Sequence, residues 1–226
     1  VIKTPFYRAI RAIVLKDLQA ELRSRQVISA TGLFGLIAVM VFYFTLSERP
    51  DIRQAALPAV LWVIVVFAGT LGLARTLAQE HDRGTIDGLL IAPIDRVALY
   101  YGKLVSTWAF TLLIAIIVSF ALMILFNADL LSGAWALILF LGTGGFAIVG
   151  TLIGTMTAGA RGRETTLPIL ILPIALPVIM ASVNASIGIL GDQPFTDWSN
   201  WLFTLAAIDL MYIGLAAALF GFVVEE

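Results

Sequence analysis

The chain has no cysteine and a single histidine, His81, among its 226 residues. Disulfides, thiolate metal sites, thiol nucleophiles and covalent cofactor attachment through Cys-x-x-Cys-His are therefore excluded. Charge is scarce as well: Asp, Glu, Lys and Arg make up 13% of the chain, where an ordinary soluble domain carries roughly a quarter. The 14 Lys and Arg meet 15 Asp and Glu, which leaves no basic excess for a nucleic-acid partner. No G-x-x-x-x-G-K-[ST] phosphate loop occurs, so no ATP site is legible in this chain. What the chain has in abundance is apolar surface, with 60% hydrophobic residues and a mean hydropathy of +1.00. That combination excludes a water-soluble globule, and it is too hydrophobic for disorder. An integral membrane protein is what remains.

A bilayer core about 30 Å thick needs about 20 apolar residues per helix. Six such runs are present, at residues 27–46, 57–78, 99–126, 134–158, 166–190 and 201–224. They are continuous rather than alternating, so they predict helices and not the strands of a barrel. The expected fold is all-α, a single transmembrane domain over residues 1–226 with six spans. The first run is longer than the about 7–15 apolar residues of a signal peptide and no small-residue cleavage site follows it, so it is expected to be retained.

Positive charge orients the spans, because cytoplasmic loops hold an excess of Lys and Arg near helix ends. Lys3, Arg8, Arg11, Lys16, Arg23 and Arg25 precede the first span; Arg75, Arg83, Arg96 and Lys103 flank the second connection; Arg161 and Arg163 lie in the fourth. The opposite side has only Arg49 and Arg53. Both termini are thus predicted to be cytoplasmic in a multi-pass membrane protein. Trp135, Trp198 and Trp201, near the outer span ends, suit an interfacial aromatic belt. Residues 5–26 are too charged to span, yet Phe6, Ile10, Val14, Leu18 and Leu22 recur at i+4 intervals. An amphipathic helix on the inner membrane surface is expected there rather than a soluble coil. Asp17 intrudes on its apolar stripe.

The second cytoplasmic connection is the most informative stretch. Gly84 breaks the second helix, Thr85 can cap a short new one, Asp87 lies in its first turn and Pro93 stops it. Ile86, Leu89 and Leu90, at i, i+3 and i+4, give this 84–93 helix one apolar face. The face either lies on the membrane or forms a knob for a cytosolic partner. Arg161, Arg163 and Glu164 occupy the short turn before the fifth span, where they either fix topology or make a second partner contact.

Inside the spans, Asp209 stands out because an ionisable residue there is costly and is a functional candidate by default. Asn184 and Tyr212 are near enough in depth for a structural hydrogen bond; a substrate-facing or proton-linked role is the alternative. Pro173 and Pro177 remove helical hydrogen bonds to the carbonyls of Ile169 and Pro173, which predicts a kink, as hinge or as static shape. Gly150-x-x-x-Gly154 suits close helix contact, within one subunit or at a dimer seam. No metal-ligand pair and no nucleophile with a base occurs in the spans, so an enzyme is not expected.

Glu80, Gly84-Thr85, Leu89-Leu90, Pro93 and Gly102-Lys103 resemble the E-x-x-x-G-T, L-L-x-x-P and G-K pattern of ABC-2-type exporter permeases. The run from Gly84 to Pro93 with Asp95-Arg96, the Arg161-Gly162-Arg163-Glu164 loop leading into Leu167-Pro168, and the closing Val223-Val224-Glu225-Glu226 are similar to the haem exporter permease B family, CcmB, of the cytochrome c maturation system. The resemblance departs at Phe220-Gly221-Phe222, where the family pattern reads Phe-Glu-Tyr. It implies a permease subunit, itself without a nucleotide site, whose 84–93 coupling helix docks on a separate ABC ATPase subunit (CcmA-like) that binds ATP. The ATPase-contact residues would be Glu80, Gly84, Thr85, Ile86, Asp87, Leu89, Leu90 and Pro93, with Arg161, Arg163 and Glu164 as a second contact. The further implied partners are a second copy of the chain, CcmC-like and CcmD-like haem-handling membrane proteins, and a periplasmic haem chaperone. Haem is implied as cargo: His81 lies on the cytosolic side and the five methionines are scattered, so the residues argue against stable axial ligation by this chain. An ABC-2 exporter of lipid, drug or polysaccharide, or a scaffold without energy coupling, stays open on the residues alone.

Overall fold

The computed structural model describes residues 5–82, 96–157 and 163–223. Seven helices occur among them: α1 (Phe6–Ser24), α2 (Gln26–Leu46), α3 (Pro50–Asp82), α4 (Arg96–Phe126), α5 (Gly133–Met156), α6 (Arg163–Leu190) and α7 (Phe195–Val223). Six of them, α2 to α7, are long and apolar enough to cross a membrane. In hydrocarbon the backbone has no water to bond, and a helix satisfies its N–H and C=O groups within itself. The six-span, all-α expectation is borne out. The 84–93 coupling helix lies outside the described residues.

Burial sorts the spans. Helices α3 and α5 are central, with 72% and 67% of their apolar windows buried, whereas α2 and α7 form the edges at 22% and 17%. Helix α3 packs on α2, α4, α5 and α6, while α7 rests on α5 and α6 and only lightly on α4. Leu61, Trp62, Ile64 and Val65 of α3 pack with Ile114, Val118 and Leu122 of α4 and with Ile138 of α5 in one half of the core. Phe146 and Val149 of α5, Leu167, Ile171 and Val178 of α6, and Leu205 of α7 build the other half.

Lipid tails are as apolar as leucine, so helices associate in membranes through close packing rather than water exclusion, and small residues permit it. Gly150 and Gly154 of α5 receive the terminal methyls of Leu73 and Leu77 of α3, 3.1 and 3.0 Å from where a β-carbon would stand. This glycine pair therefore serves packing within one subunit. Gly142, two turns earlier, is filled from both sides by the Trp62 ring of α3 and Ser182 of α6.

Two boundaries and one assignment differ from the sequence reading. Helix α3 begins at Pro50 and α7 at Phe195, seven and six residues ahead of the apolar runs, because Arg53 in the one and Asp197, Ser199 and Asn200 in the other dilute the hydropathy. Trp135 and Trp198 are only 4% and 8% exposed, unlike Trp201 at 40%, so the first two are core residues rather than a belt. Trp198 packs against Gly188 of α6, and the Trp135 indole donates to Ser119 Oγ at 3.4 Å. Helix α6 runs on through Pro168, Pro173 and Pro177.

Gly142→Ala is expected to destabilise the bundle by about 1–3 kcal/mol, the usual cost of overpacking a filled core. Gly32→Ala, with open space around its position, should cost nothing. Thermal unfolding of the two variants in detergent checks the contrast.

Candidate functional site

The charged end of the molecule is organised by α1. The expected stripe of Phe6, Ile10, Val14, Leu18 and Leu22 is not the buried one: Phe6 and Leu22 are exposed, while Ala9 and Ile13, on the adjoining row, are buried. Ile13 sits on Gly102 of α4, with its Cβ 2.9 Å from where a glycine β-carbon would be. Asp17 continues that same row one turn further and pairs with Lys103 of α4 at 3.3 Å, as well as with Lys16 at 3.1 Å. The residue that seemed to spoil the amphipathic pattern is thus the one that ties α1 down. The Gly102-Lys103 pair supplies both halves of the seat, a gap for Ile13 and a charge for Asp17.

Helix α1 then turns directly into α2. Arg25 adopts φ 52°, and its N–H donates to the Glu21 carbonyl at 2.7 Å. The Glu21 carboxylate accepts from the N–H of Ile28 at 2.8 Å, satisfying one of the unpaired donors of the first turn of α2. Gln79 near the end of α3 donates to the Gln26 side chain at 3.2 Å. The helices on either side of the second connection, α3 and α4, are both fastened to the α1–α2 elbow.

Of the sequence-predicted coupling residues, Gly84, Thr85, Ile86, Asp87, Leu89, Leu90 and Pro93 lie outside the described residues, as does Arg161. Glu80 falls in the last turn of α3, and Arg163 with Glu164 in the first turn of α6. The topology brings the ends of α3, α4, α5 and α6 to the side on which α1 packs.

Within the spans, the three intramembrane polar residues do not converge. Asn184 donates to its own helix, to the Met180 carbonyl at 2.7 Å. The Tyr212 hydroxyl donates across to the Ile174 carbonyl of α6 at 2.7 Å, next to Pro173 within that helix. Asp209 is 7% exposed, and its Oδ1, pressed on Gly145 of α5 beside Val178, has no hydrogen-bond partner. The structural hydrogen bond expected from Asp209 to Asn184 or Tyr212 is not made: Tyr212 gives its hydroxyl to Ile174, and the Asn184 amide bonds to Met180 of its own helix. Arg75, on α3, is exposed, and α3 does not pack on α7.

Sequence reasoning missed a second polar relay. The Trp62 indole of α3 donates to Ser186 Oγ at 3.0 Å, and that hydroxyl donates to the Ser182 carbonyl at 2.7 Å. A tryptophan in mid-span reads as packing unless a serine at the matching depth of another helix is known. At the opposite end of the bundle, Arg53, Asp129 and Asp192 line a cavity of about 350 Å³ floored by Leu57, Phe126, Ile189 and Leu190. The start of α3 and the α4–α5 and α6–α7 loops contribute to it.

The fold and these sites together define a polytopic α-helical membrane protein whose charged end is clamped by an amphipathic N-terminal helix. A family model described as CcmB protein matches residues 8–224, and the chain belongs to that family. Proteins called "Heme exporter protein B" are similar along most of their length. The one from Bradyrhizobium diazoefficiens is 25% identical over 212 residues, 93% of this chain and 96% of its own. That of Pseudomonas aeruginosa is 26% identical over 187 residues, 82% and 83% of the two chains. That of Rhodobacter capsulatus is 26% identical over 172 residues, 76% and 79%. The resemblance read from the loop motifs is borne out at the level of the family.

Asp17→Asn is expected to loosen α1 from α4 by about 1–3 kcal/mol, the range for a hydrogen bond to a charged group. The readout is the rate of tryptic cleavage after Arg23 and Arg25, which should rise several-fold over that of the parent protein in the same detergent.

Proposed function

We propose that this chain is the membrane-spanning permease subunit of an ABC-type haem export system for cytochrome c maturation. It would couple ATP hydrolysis by a separate CcmA-like ATPase to haem export or to release of the haem-loaded periplasmic chaperone. The observation that carries this reading is the CcmB family match from residue 8 to residue 224, supported by relatives named as haem exporters over nearly the whole chain. Six spans and the lack of a phosphate loop fit a subunit that supplies the membrane path but not the nucleotide site.

In this reading both termini and α1 face the cytoplasm of a bacterium, in its inner membrane, since twelve of the fourteen Lys and Arg fall on that side. The 84–93 segment, with Glu80 before it, is the coupling element. Ile86, Leu89 and Leu90 give it the apolar face that enters the ATPase, and Arg161, Arg163 and Glu164 add a second contact from the neighbouring turn. A nucleotide-driven change in the ATPase acts on the spans only through contacts that differ between its states. The connection runs between α3 and α4, so those contacts would bear first on the central helix and on the helix that seats α1. Two copies of the chain would pair with two ATPases, alongside CcmC-like and CcmD-like partners. The only histidine lies at the end of α3 and the chain has no cysteine, so haem is treated as cargo of the assembly rather than as a group ligated by this subunit.

Leu89→Asp is expected to abolish co-purification of the ATPase while leaving the amount of permease in the membrane at the level of the parent. ATPase recovered at normal yield with Leu89→Asp would overturn the coupling role. Recovery of the intact assembly without any haem-handling partner would point to an exporter of another substrate. Arg163→Ala separates the two readings of its turn: lost ATPase with normal insertion supports the second contact, and inverted or degraded protein supports a purely topological role.

A further inference from the structure

Helix α7 is held to the bundle by one stripe. Over its central part Leu205, Asp209, Tyr212 and Ala216 are buried, with Ala206 and Ile208 half-buried beside them and the other positions exposed, a 4-3-4 spacing that puts all four buried residues on one side of the helix. Three of the four are apolar or have their polar atom bonded. The fourth is a carboxyl group, 93% buried, pressed on the backbone of Gly145, with Oδ1 unpartnered. A carboxylate in that position would be an uncompensated charge inside the membrane.

The charges that could compensate it can be enumerated by element. Helix α5 contains no charged residue from Gly133 to Met156. Helix α6 has only Arg163 and Glu164, in its first turn, about 20 Å in helix rise from Val178. Helix α4 keeps its titratable groups, Arg96, Tyr100, Tyr101 and Lys103, in its first three turns; Lys103 is paired with Asp17, and the Tyr100 hydroxyl donates to Ile148 on α5 at 3.4 Å. On α7 itself Asp197 lies three turns away, and Tyr212 gives its hydroxyl to Ile174. Among the described residues no cation faces Asp209, and no second acid shares its niche to hold a metal ion. A neutral carboxyl is the form that this surrounding accepts.

We propose that Asp209 is an intramembrane proton-binding site, holding its proton while α7 is docked on Gly145 and releasing it when α7 moves away. On release the Oδ–H bond breaks, the proton passes to water entering the gap between α5 and α7, and the carboxylate left behind is hydrated by that water. Proton binding and the docking of α7 are then one equilibrium, since whatever binds only the docked state favours it. The edge position of α7, the least buried of the spans, gives it room to move.

Infrared spectroscopy of the full chain in lipid tests this, because the C=O stretch of a protonated carboxyl stands apart from the amide and carboxylate bands. At neutral pH such a band is expected in the parent protein and lost in Asp209→Asn, whose side chain has the shape of the neutral acid. Gly145→Ala puts a methyl group where Oδ1 lies, so it should wedge α7 outward and convert at least half of the band intensity to carboxylate. This second variant retains Asp209 and keeps the test valid if Asp209→Asn fails to fold. Absence of the band in the parent at neutral pH, its persistence in Asp209→Asn, or an unaltered band in Gly145→Ala would each overturn the proposal.

Discussion

Everything in the spans answers to one constraint: in hydrocarbon a polar group finds its partner inside the protein or goes without. Hydroxyls meet it locally. Thr31, Thr70, Thr143 and Ser186 each donate to the carbonyl four residues earlier on their own helix, so their own protons make no tie between helices. Indole N–H groups cannot bond back in this way and reach across instead. Trp62 goes to Ser186 and Trp108 to Thr143 and the Phe140 carbonyl. Each such reach fixes the depth of one helix against another, which apolar packing alone does loosely.

The groups left over have a common address. Among the described residues the buried side-chain atoms without a partner are Thr151 Oγ1, Ser182 Oγ and Asp209 Oδ1. Thr151 is on α5, and the other two press on α5 glycines, Ser182 on Gly142 and Asp209 on Gly145. Glycine here lets the backbone approach so closely that there is no space for a second polar group beside the first. Close helix packing and polar satisfaction compete along this helix, and packing has won. A dense, charge-free α5 is what makes the acid on α7 so isolated.

Hydropathy and turn residues carried the fold a long way: span number, helix type and family were all legible, and most span edges fell within three residues of the helix ends. The failures share a cause. Asp17 read as a flaw in α1 because its partner, Lys103, is 86 positions away, and periodicity cannot see across that distance. The inward row of Ala9, Ile13 and Asp17 is poorer in hydrophobes than the row read from sequence, and only Gly102 and Lys103, on another helix, explain why it faces inward. Trp135 and Trp198 were assigned by composition to a belt that their neighbours do not allow. For Asp209 depth and cost were legible but isolation was not, since Asn184 and Tyr212 look available until the structure shows the one bonded to a carbonyl of its own helix and the other to a carbonyl of α6.

The two ends of the molecule differ in how they would respond to a load. At the α1 end, the elbow between α1 and α2 is tied to α4 by the Asp17–Lys103 pair and to α3 by the Gln79–Gln26 bond. The two helices that flank residues 83–95 are therefore joined through a third party, and a displacement applied to them also loads the α1–α2 unit. Along α3 it reaches α2, α4, α5 and α6, on all of which that helix packs. From α5 and α6 the remaining path leads to α7, which packs on both of them and only lightly on α4, along a stripe with a carboxyl group at its middle. A braced entry, a stiff centre and a weakly buried edge are arranged in series, and the contact of Asp209 with Gly145 lies at the seam where the edge meets the centre.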